Sequence, residues 1–312
     1  MRLSNVVTFP DDKEQRKQKG IYKYGMNFSR KLRIMCIKLA VLGTVESLYA
    51  QPSVMDTTFH PYHVNYWITS GVLIGGIAAE KIGVPWIQNK TPLANAELQT
   101  LDRNNLTGID RWALQQDPSN MDYYVQLSDN VLAAIVALPA LTMLDRNVRR
   151  DWLDVVLMYA ETQIITNNLY LYTPIGPTFQ NRLRPVVYYD ALGTSEVRMR
   201  GANRNSLYSG HVASAAAASF FTAKIFCDYH PELGWKKFLV YGAAAVPPLV
   251  LSYIRVKALA HFPSDLLVGI GVGALCGIII PEIHRIGVEN TSLGVYSSPE
   301  GTGLSLKWQP DF

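Results

Sequence analysis

The sequence predicts an all-α bundle of six helices closed by a short hairpin, and three observations carry that prediction. Apolar runs rich in Ala, Leu, Ile, Val and Gly recur along the chain without the alternation of half-buried strands. Six of them have helical length, at 66–80, 129–144, 152–172, 211–228, 236–256 and 265–284. Strand-like sequence is confined to the tail, where Leu293–Ser297 and Gly303–Trp308 flank the turn Ser298-Pro299-Glu300-Gly301-Thr302.

Composition narrows the classes of function. The 312 residues carry 29 Lys and Arg against 25 Asp and Glu, a net charge of +4 that is too small and diffuse for a nucleic-acid surface. Charged residues make up 17% and apolar residues 48%, which excludes a disordered chain and a highly charged exterior. Mean hydropathy is +0.05, between a soluble enzyme and a full polytopic membrane protein. Three cysteines, Cys36, Cys227 and Cys276, cannot build a disulfide framework, and their spacing fits no zinc site. Cys227 and Cys276 lie in apolar helical stretches and are expected as buried free thiols.

Taken in order, the chain divides into a leader (1–50), a helix and loop region (51–128), a helical core (129–290) and a tail (291–312). Arg30, Lys31 and Arg33 precede an apolar stretch that ends at Ala50, the pattern of an export signal with a cut after Ala50, although Lys38 and Glu46 interrupt it. Residues 86–128 read as a polar loop with short helices, and 173–210 as a second long connection rich in Arg, Asn, Gly and Pro. Long connections in a compact helical domain are usually functional or disordered. The purest apolar runs, around 238–254 and 266–281, fall somewhat short of the roughly 20 residues of a membrane span. Arg146, Arg149 and Arg150 lie between the second and third helices and place that turn in the cytoplasm, which puts 173–210 outside. A cleaved signal gives the opposite count for the chain before 66, so embedded and soluble versions both stay open.

Three short patterns at helix ends carry the chemistry. In the third, Arg255 is followed by His261 and Asp265. Pro263 suits the first helical turn, Asp265 falls within that turn, and His261 stands just ahead of it. A carboxylate that meets the imidazole fixes its tautomer and leaves the other nitrogen free to attack. Arg255 offers a planar fork to phosphate oxygens. In the second, Ser209-Gly210-His211 opens an Ala-rich helix whose first N–H groups form an anion site, with His211 placed to protonate a leaving oxygen. The first, Arg184-Pro185, adds another cation. Two histidines, two arginines, a carboxylate and a helix start suit phosphoryl transfer through a phosphohistidine without a metal or other cofactor.

Together these residues resemble the type 2 phosphatidic acid phosphatase superfamily, which includes bacterial acid phosphatases and vanadium haloperoxidases. Its signature runs Lys-x6-Arg-Pro, Pro-Ser-Gly-His and Ser-Arg-x5-His-x3-Asp, and Arg184-Pro185, Ser209-Gly210-His211 and Arg255, His261, Asp265 match it in order over roughly 129–284. The resemblance implies His261 as nucleophile, His211 as acid, Asp265 as orienting carboxylate, and Arg184, Arg255, Ser209 and Gly210 as phosphate ligands. It departs at Pro177, where the family has lysine, at Tyr208 for proline and at Ile254 for serine. Arg182 is the nearest cation to take over the lysine's charge. The expected substrate is a phosphorylated lipid (phosphatidate, polyprenyl diphosphate or lipid A phosphate) or a small phosphoester. The expected place is a bacterial cell envelope, with the site facing the periplasm. A soluble periplasmic acid phosphatase, a vanadate-dependent haloperoxidase and an inactive structural homologue are the alternatives.

Other features have plainer expectations. His60 and His63 lack a supporting cluster and read as solvated or capping residues. His230 and His284 read as surface residues at helix ends. Arg198, Arg200 and Arg204 stand equally between headgroup binding and a solvated loop. Pro247-Pro248 kinks a helix, and the glycines of 269–273 permit close helix packing.

Overall fold

The computed structural model describes residues 60–106 and 108–285, and the backbone of 291–298 and 301–308. The leader reading, with Cys36, lies outside the described residues. Long helices dominate: α1 Tyr66–Gln88, short α2 Asn95–Gln99, α3 Met121–Val136, short α4 Arg146–Arg150, α5 Trp152–Tyr172, short α6 Glu196–Met199, α7 Gly210–Tyr229, α8 Lys237–Ala244, α9 Val246–Lys257 and α10 Pro263–Arg285. Two antiparallel strands follow, β1 Thr291–Ser298 and β2 Gly301–Trp308, paired from Thr291 with Trp308 to Ser298 with Gly301. The expected hairpin is present and slightly longer than its apolar residues implied.

The six expected helical stretches are all helical, with shifted ends. α1 runs on to Gln88, because Pro85 lies where it costs only the last turn. Asn65 starts this helix, its side chain accepting from the N–H groups of Trp67 and Ile68 at 3.2 Å. α3 begins at Met121 rather than 129, after Asp117 caps a 3-10 turn that has Pro118 at its start. The expected kink at Pro247-Pro248 is a break: α8 ends at Ala244 and α9 starts at Val246, since neither proline offers an N–H to the preceding turn.

α7 is the centre. Most of its side chains are buried, and α10 packs along it more extensively than any other helix pair. The packing rests on small residues. A Cβ on Gly269 would stand 2.8 Å from the Ser209 carbonyl, one on Gly277 would stand 2.6 Å from that of Ala217, and one on Gly273 would collide with that of Ala213. Gly271, on the other face, meets nothing within 4 Å. The glycine run thus acts in helix packing, as its spacing implied. α1 docks on α5 in the same way. Gly76 and Gly83 face Ile164 and Tyr172, while Asn168 and Tyr172 donate to the Gly76 and Ala79 carbonyls at 3.1 and 2.6 Å.

Among the described residues, four segments are long and apolar enough to cross a membrane: Tyr66–Gln88, Pro118–Leu144, Pro231–Lys257 and Pro263–Arg285. Their outer faces expose Trp67, Ile74, Ile82, Phe238, Leu239, Leu249, Leu267, Leu275 and Ile283, an apolar surface that water does not favour and lipid does. At the end of the bundle away from the α7 N-terminus, Tyr229 donates to Asp151, Tyr62 to Asp228, and His230 pairs with Asp145 and Glu232. His60 pairs with Asp151 at 2.7 Å. His284 corrects its expectation. It is buried, 2.9 Å from Glu161 Oε2, because α10 places it against α5 and not at the surface. Cys227 and Cys276 are buried free thiols.

Candidate active site

The connection between α5 and α7 is packed, not solvated. Lys90 Nζ donates to the carbonyls of Pro177 and Gln180 at 2.5 and 2.6 Å and to Asn181 Oδ1 at 2.9 Å. Arg198 is buried and donates to the Val187 and Gly193 carbonyls and to Asp190. Arg204 grips both oxygens of Glu97 at 2.8 Å and the Thr91 carbonyl. Arg198 and Arg204 therefore hold the loop together. Neither reading made for them, headgroup ligand or solvated face, describes their contacts. The Arg184 N–H donates to the Asn203 carbonyl and the Val186 N–H to that of Leu259, which fixes the Arg184-Pro185 turn against the α9–α10 connection.

That connection carries His261. α9 ends in a turn at Leu259, whose φ of 52° is left-handed. For a residue with a Cβ this costs about 1–2 kcal/mol, and the complete burial of Leu259 holds it there. His261 follows, 2% exposed, with Nδ1 2.7 Å from the Ser206 carbonyl. A carbonyl only accepts, so Nδ1 carries the hydrogen and Nε2 keeps its lone pair. Burial first, then the charges of Arg255 and Arg184, hold the imidazole well below its ordinary range, and His211 acts in the same direction. Four residues separated by up to 77 positions along the chain thus share one electrostatic neighbourhood.

Asp265 stands one step from its expected place. It does not bond the imidazole. Its Oδ2 accepts from the Ser206 hydroxyl at 2.6 Å and from the Phe262 N–H at 2.9 Å, so it fixes the residues on either side of His261. Arg182 is also placed otherwise than expected. Its Nη1 binds Asp265 Oδ1 and Ser264 Oγ, its Nη2 binds Asp110 Oδ2 at 2.6 Å, and its guanidinium lies over the Phe262 ring. Two carboxylates have taken up this cation, which removes it from service as a substitute for the lysine. Asp110 in turn caps α10, accepting from the Ser264 N–H at 3.0 Å. Burial pushes the Asp110 carboxyl up, but the bonds from Ser264 and Arg182 outweigh it and leave it below the usual carboxylate range.

Ser209 caps α7 and is fully buried, its Oγ 3.5 Å from the Val212 N–H. Gly210 lies under the Tyr170 ring, where a Cβ would stand 3.3 Å from it. His211, 38% exposed at the side chain, opens to the exterior with Nε2 3.1 Å from Asp129 Oδ1. Arg255 is buried; its Nη1 donates to Ser128 Oγ at 2.9 Å, and its Nε has no hydrogen-bond partner among the described residues. Ser128 and Asp129 sit side by side on α3 and touch both catalytic-type motifs. No sequence pattern singled them out: Ser128-Asp129-Asn130 is one short polar run on a helix that also carries Asp122 and Gln126.

The sequence pattern of the PAP2 superfamily matches residues 151–286. All residues of the three motifs lie inside it, while Ser128, Asp129 and Asp110 lie outside. The fold is similar to a solved structure described as the first transmembrane PAP2 type phosphatidylglycerolphosphate phosphatase from Bacillus subtilis, at 19% identity and a TM-score of 0.39, covering 69% of this chain and 94% of that one. No curated protein matches the sequence.

Proposed function

We propose that this protein is a membrane-embedded phosphatase that hydrolyses phosphomonoesters of lipids through a phosphohistidine on His261. The carrying observation is the state of His261: a buried neutral imidazole, tautomer set by the Ser206 carbonyl, in the field of Arg255 and Arg184. A buried, hydrogen-bonded imidazole with a free nitrogen lone pair is a nucleophile. Two guanidiniums beside it favour a phosphate dianion. The Nε of Arg255, without a partner among the described residues, supports the same reading, because a buried donor without an acceptor is costly and an anion would satisfy it.

In this mechanism Arg184, Arg255, the Ser209 hydroxyl and the amide groups at Gly210 and His211 hold the phosphoryl oxygens. His261 Nε2 forms a bond to phosphorus as the ester P–O bond breaks, and His211 gives its proton to the departing alcohol oxygen. Water then attacks phosphorus, the P–N bond breaks and inorganic phosphate leaves. Asp265 acts through Ser206 and the Phe262 amide rather than on the ring. The apolar outer faces support a lipid substrate, since a site at the end of lipid-facing helices receives a headgroup whose chains stay in the bilayer.

The test is phosphate release by the detergent-purified full chain from phosphatidate and from a soluble aryl phosphate. Release from the lipid is expected, together with an acid-labile, base-stable phosphoenzyme. His261→Ala is expected to lose at least about a thousandfold in kcat. Release from the soluble ester alone overturns the lipid assignment. A His261→Ala enzyme with full activity overturns the nucleophile, and a wild type inactive on both esters overturns the enzyme reading.

A further inference from the structure

We propose that Asp129, on α3 and outside the matched PAP2 segment, is the positioning residue that strengthens the hold of His211 on its proton and makes the leaving-group side of the site selective for uncharged alcohols. This rests on the reading of His211 as the acid.

Every other charge around His211 works against it as an acid. Burial first, then the positive charges of Arg255 from α9 and Arg184 from the loop, hold the His211 imidazole below its ordinary range even against Asp129, and neutral His261 adds no compensation. Tyr170 from α5, which faces the two arginines, brings a neutral phenol. A general acid must carry its proton before the leaving oxygen arrives, so a histidine beside two guanidiniums needs a nearby negative charge. Asp129 is the carboxylate in that position, with Oδ1 3.1 Å from Nε2. His211 is its hydrogen-bond partner among the described residues, and 47% of its side chain is exposed, so the carboxylate contributes nothing to core packing.

Ser128 shows that the placement is part of the site. One residue earlier on the same helix, its hydroxyl accepts from Arg255 Nη1 and donates to the Val125 carbonyl at 2.7 Å. α3 therefore orients the cation with one residue and balances it with the next. The carboxylate and the ring it binds are both open to the exterior, 47% and 38% exposed at the side chain, so a departing group that takes its proton from His211 meets Asp129. An alcohol leaving group carries no charge past it, whereas a leaving group that is itself a phosphate is repelled.

The experiment compares wild type, Asp129→Asn and Asp129→Glu as full chains in detergent. Asparagine keeps the shape and one hydrogen bond without the charge, and glutamate restores the charge. The histidine ring signals are followed by NMR against pH, with His211 assigned by its loss in His211→Gln. This readout needs no turnover, so it separates failure of the proposal from failure of the phosphatase reading. In Asp129→Asn, His211 is expected to titrate about one pH unit lower, with the alkaline limb of kcat moving by the same amount for one substrate. Asp129→Glu restores most of the shift. The preference for phosphatidate over a lipid diphosphate, as a ratio of kcat/KM, is expected to fall about three- to tenfold. An unmoved His211 titration overturns the positioning role, and an unmoved ratio overturns the selectivity.

Discussion

At the scale of single residues, the site is built on indirect contacts. The sequence places His261 and Asp265 four apart, and that spacing reads as a direct pair. In the structure the Ser206 carbonyl takes the ring hydrogen, and Asp265 takes the Ser206 hydroxyl. Arg182 closes the arrangement by binding Asp265 and Asp110 together. Removing it takes a shared cation from two carboxylates that are each at most 1% exposed. Breaking a buried pair in this way costs about 3–5 kcal/mol when both partners are enclosed. The arginine side chain is 28% exposed, so solvent screens part of the loss and about 2 kcal/mol is expected for Arg182→Gln by thermal unfolding in detergent. The loss also has a pH signature. Asp110 has a folded value below its unfolded one, so its contribution is present above the ordinary carboxylate value and fades as pH falls through the lower folded value. Wild type and Arg182→Gln should therefore converge in stability toward strong acid. A gap that persists unchanged there would mean that the guanidinium contributes by packing on Phe262 instead.

At the scale of elements, what could be read from the sequence was whatever local spacing encodes. The helix starts at Ser209 and Pro263, the tail hairpin and the glycine stripe are all local, and the structure has them; the kink at Pro247-Pro248 is local too, and the structure sharpens it to a break. The polar contacts are not local: Lys90 with Pro177, Arg182 with Asp110 and Asp129 with His211 each join segments more than 70 residues apart. No periodicity reports such a pairing, which is why Asp129 and Ser128 were missed and Arg182 was misplaced. His284 was misplaced for a related reason, since a helix end faces water only if no neighbouring helix covers it. The glycine stripe yields a direct test by contrast. Gly273→Leu places a side chain against the Ala213 backbone and the Ala216 methyl, which cannot yield without separating α7 from α10. Loss of folded protein is expected, or a drop of at least about 3 kcal/mol. Gly271→Leu, two residues away and facing open space, is expected to leave the melting temperature within a few degrees. Equal effects of the two substitutions on melting would remove the close approach of these helices as the basis of the core.

At the scale of the whole molecule, the ends of the bundle differ in chemistry, and the difference sets an orientation. Arg146, Arg149 and Arg150 stand just before α5, and the site-bearing connection stands just after it. Twenty-one helical residues separate them, a rise of about 31 Å that matches the hydrocarbon thickness of a bilayer. Exposed Trp67 and Trp86 mark the two ends of α1 at nearly the same separation, about 29 Å, as interfacial aromatic anchors do. The His230 contact with Asp145 brings the Trp235 turn to the arginine end, and the Trp112 ring meets Tyr253 of α9 near the site end. The positive-inside rule predicts the arginines in the cytoplasm and the site on the opposite side. Single cysteines test this in a Cys36→Ser background, because Cys227 and Cys276 are buried. In intact spheroplasts, an impermeant maleimide is expected to label Thr194→Cys in the site-bearing loop and to spare Asn147→Cys until lysis. Labelling of Asn147→Cys alone would invert the orientation and put the phosphate chemistry in the cytoplasm. Labelling of both would mean that α5 does not separate two compartments, and the bundle would then sit on the membrane rather than across it.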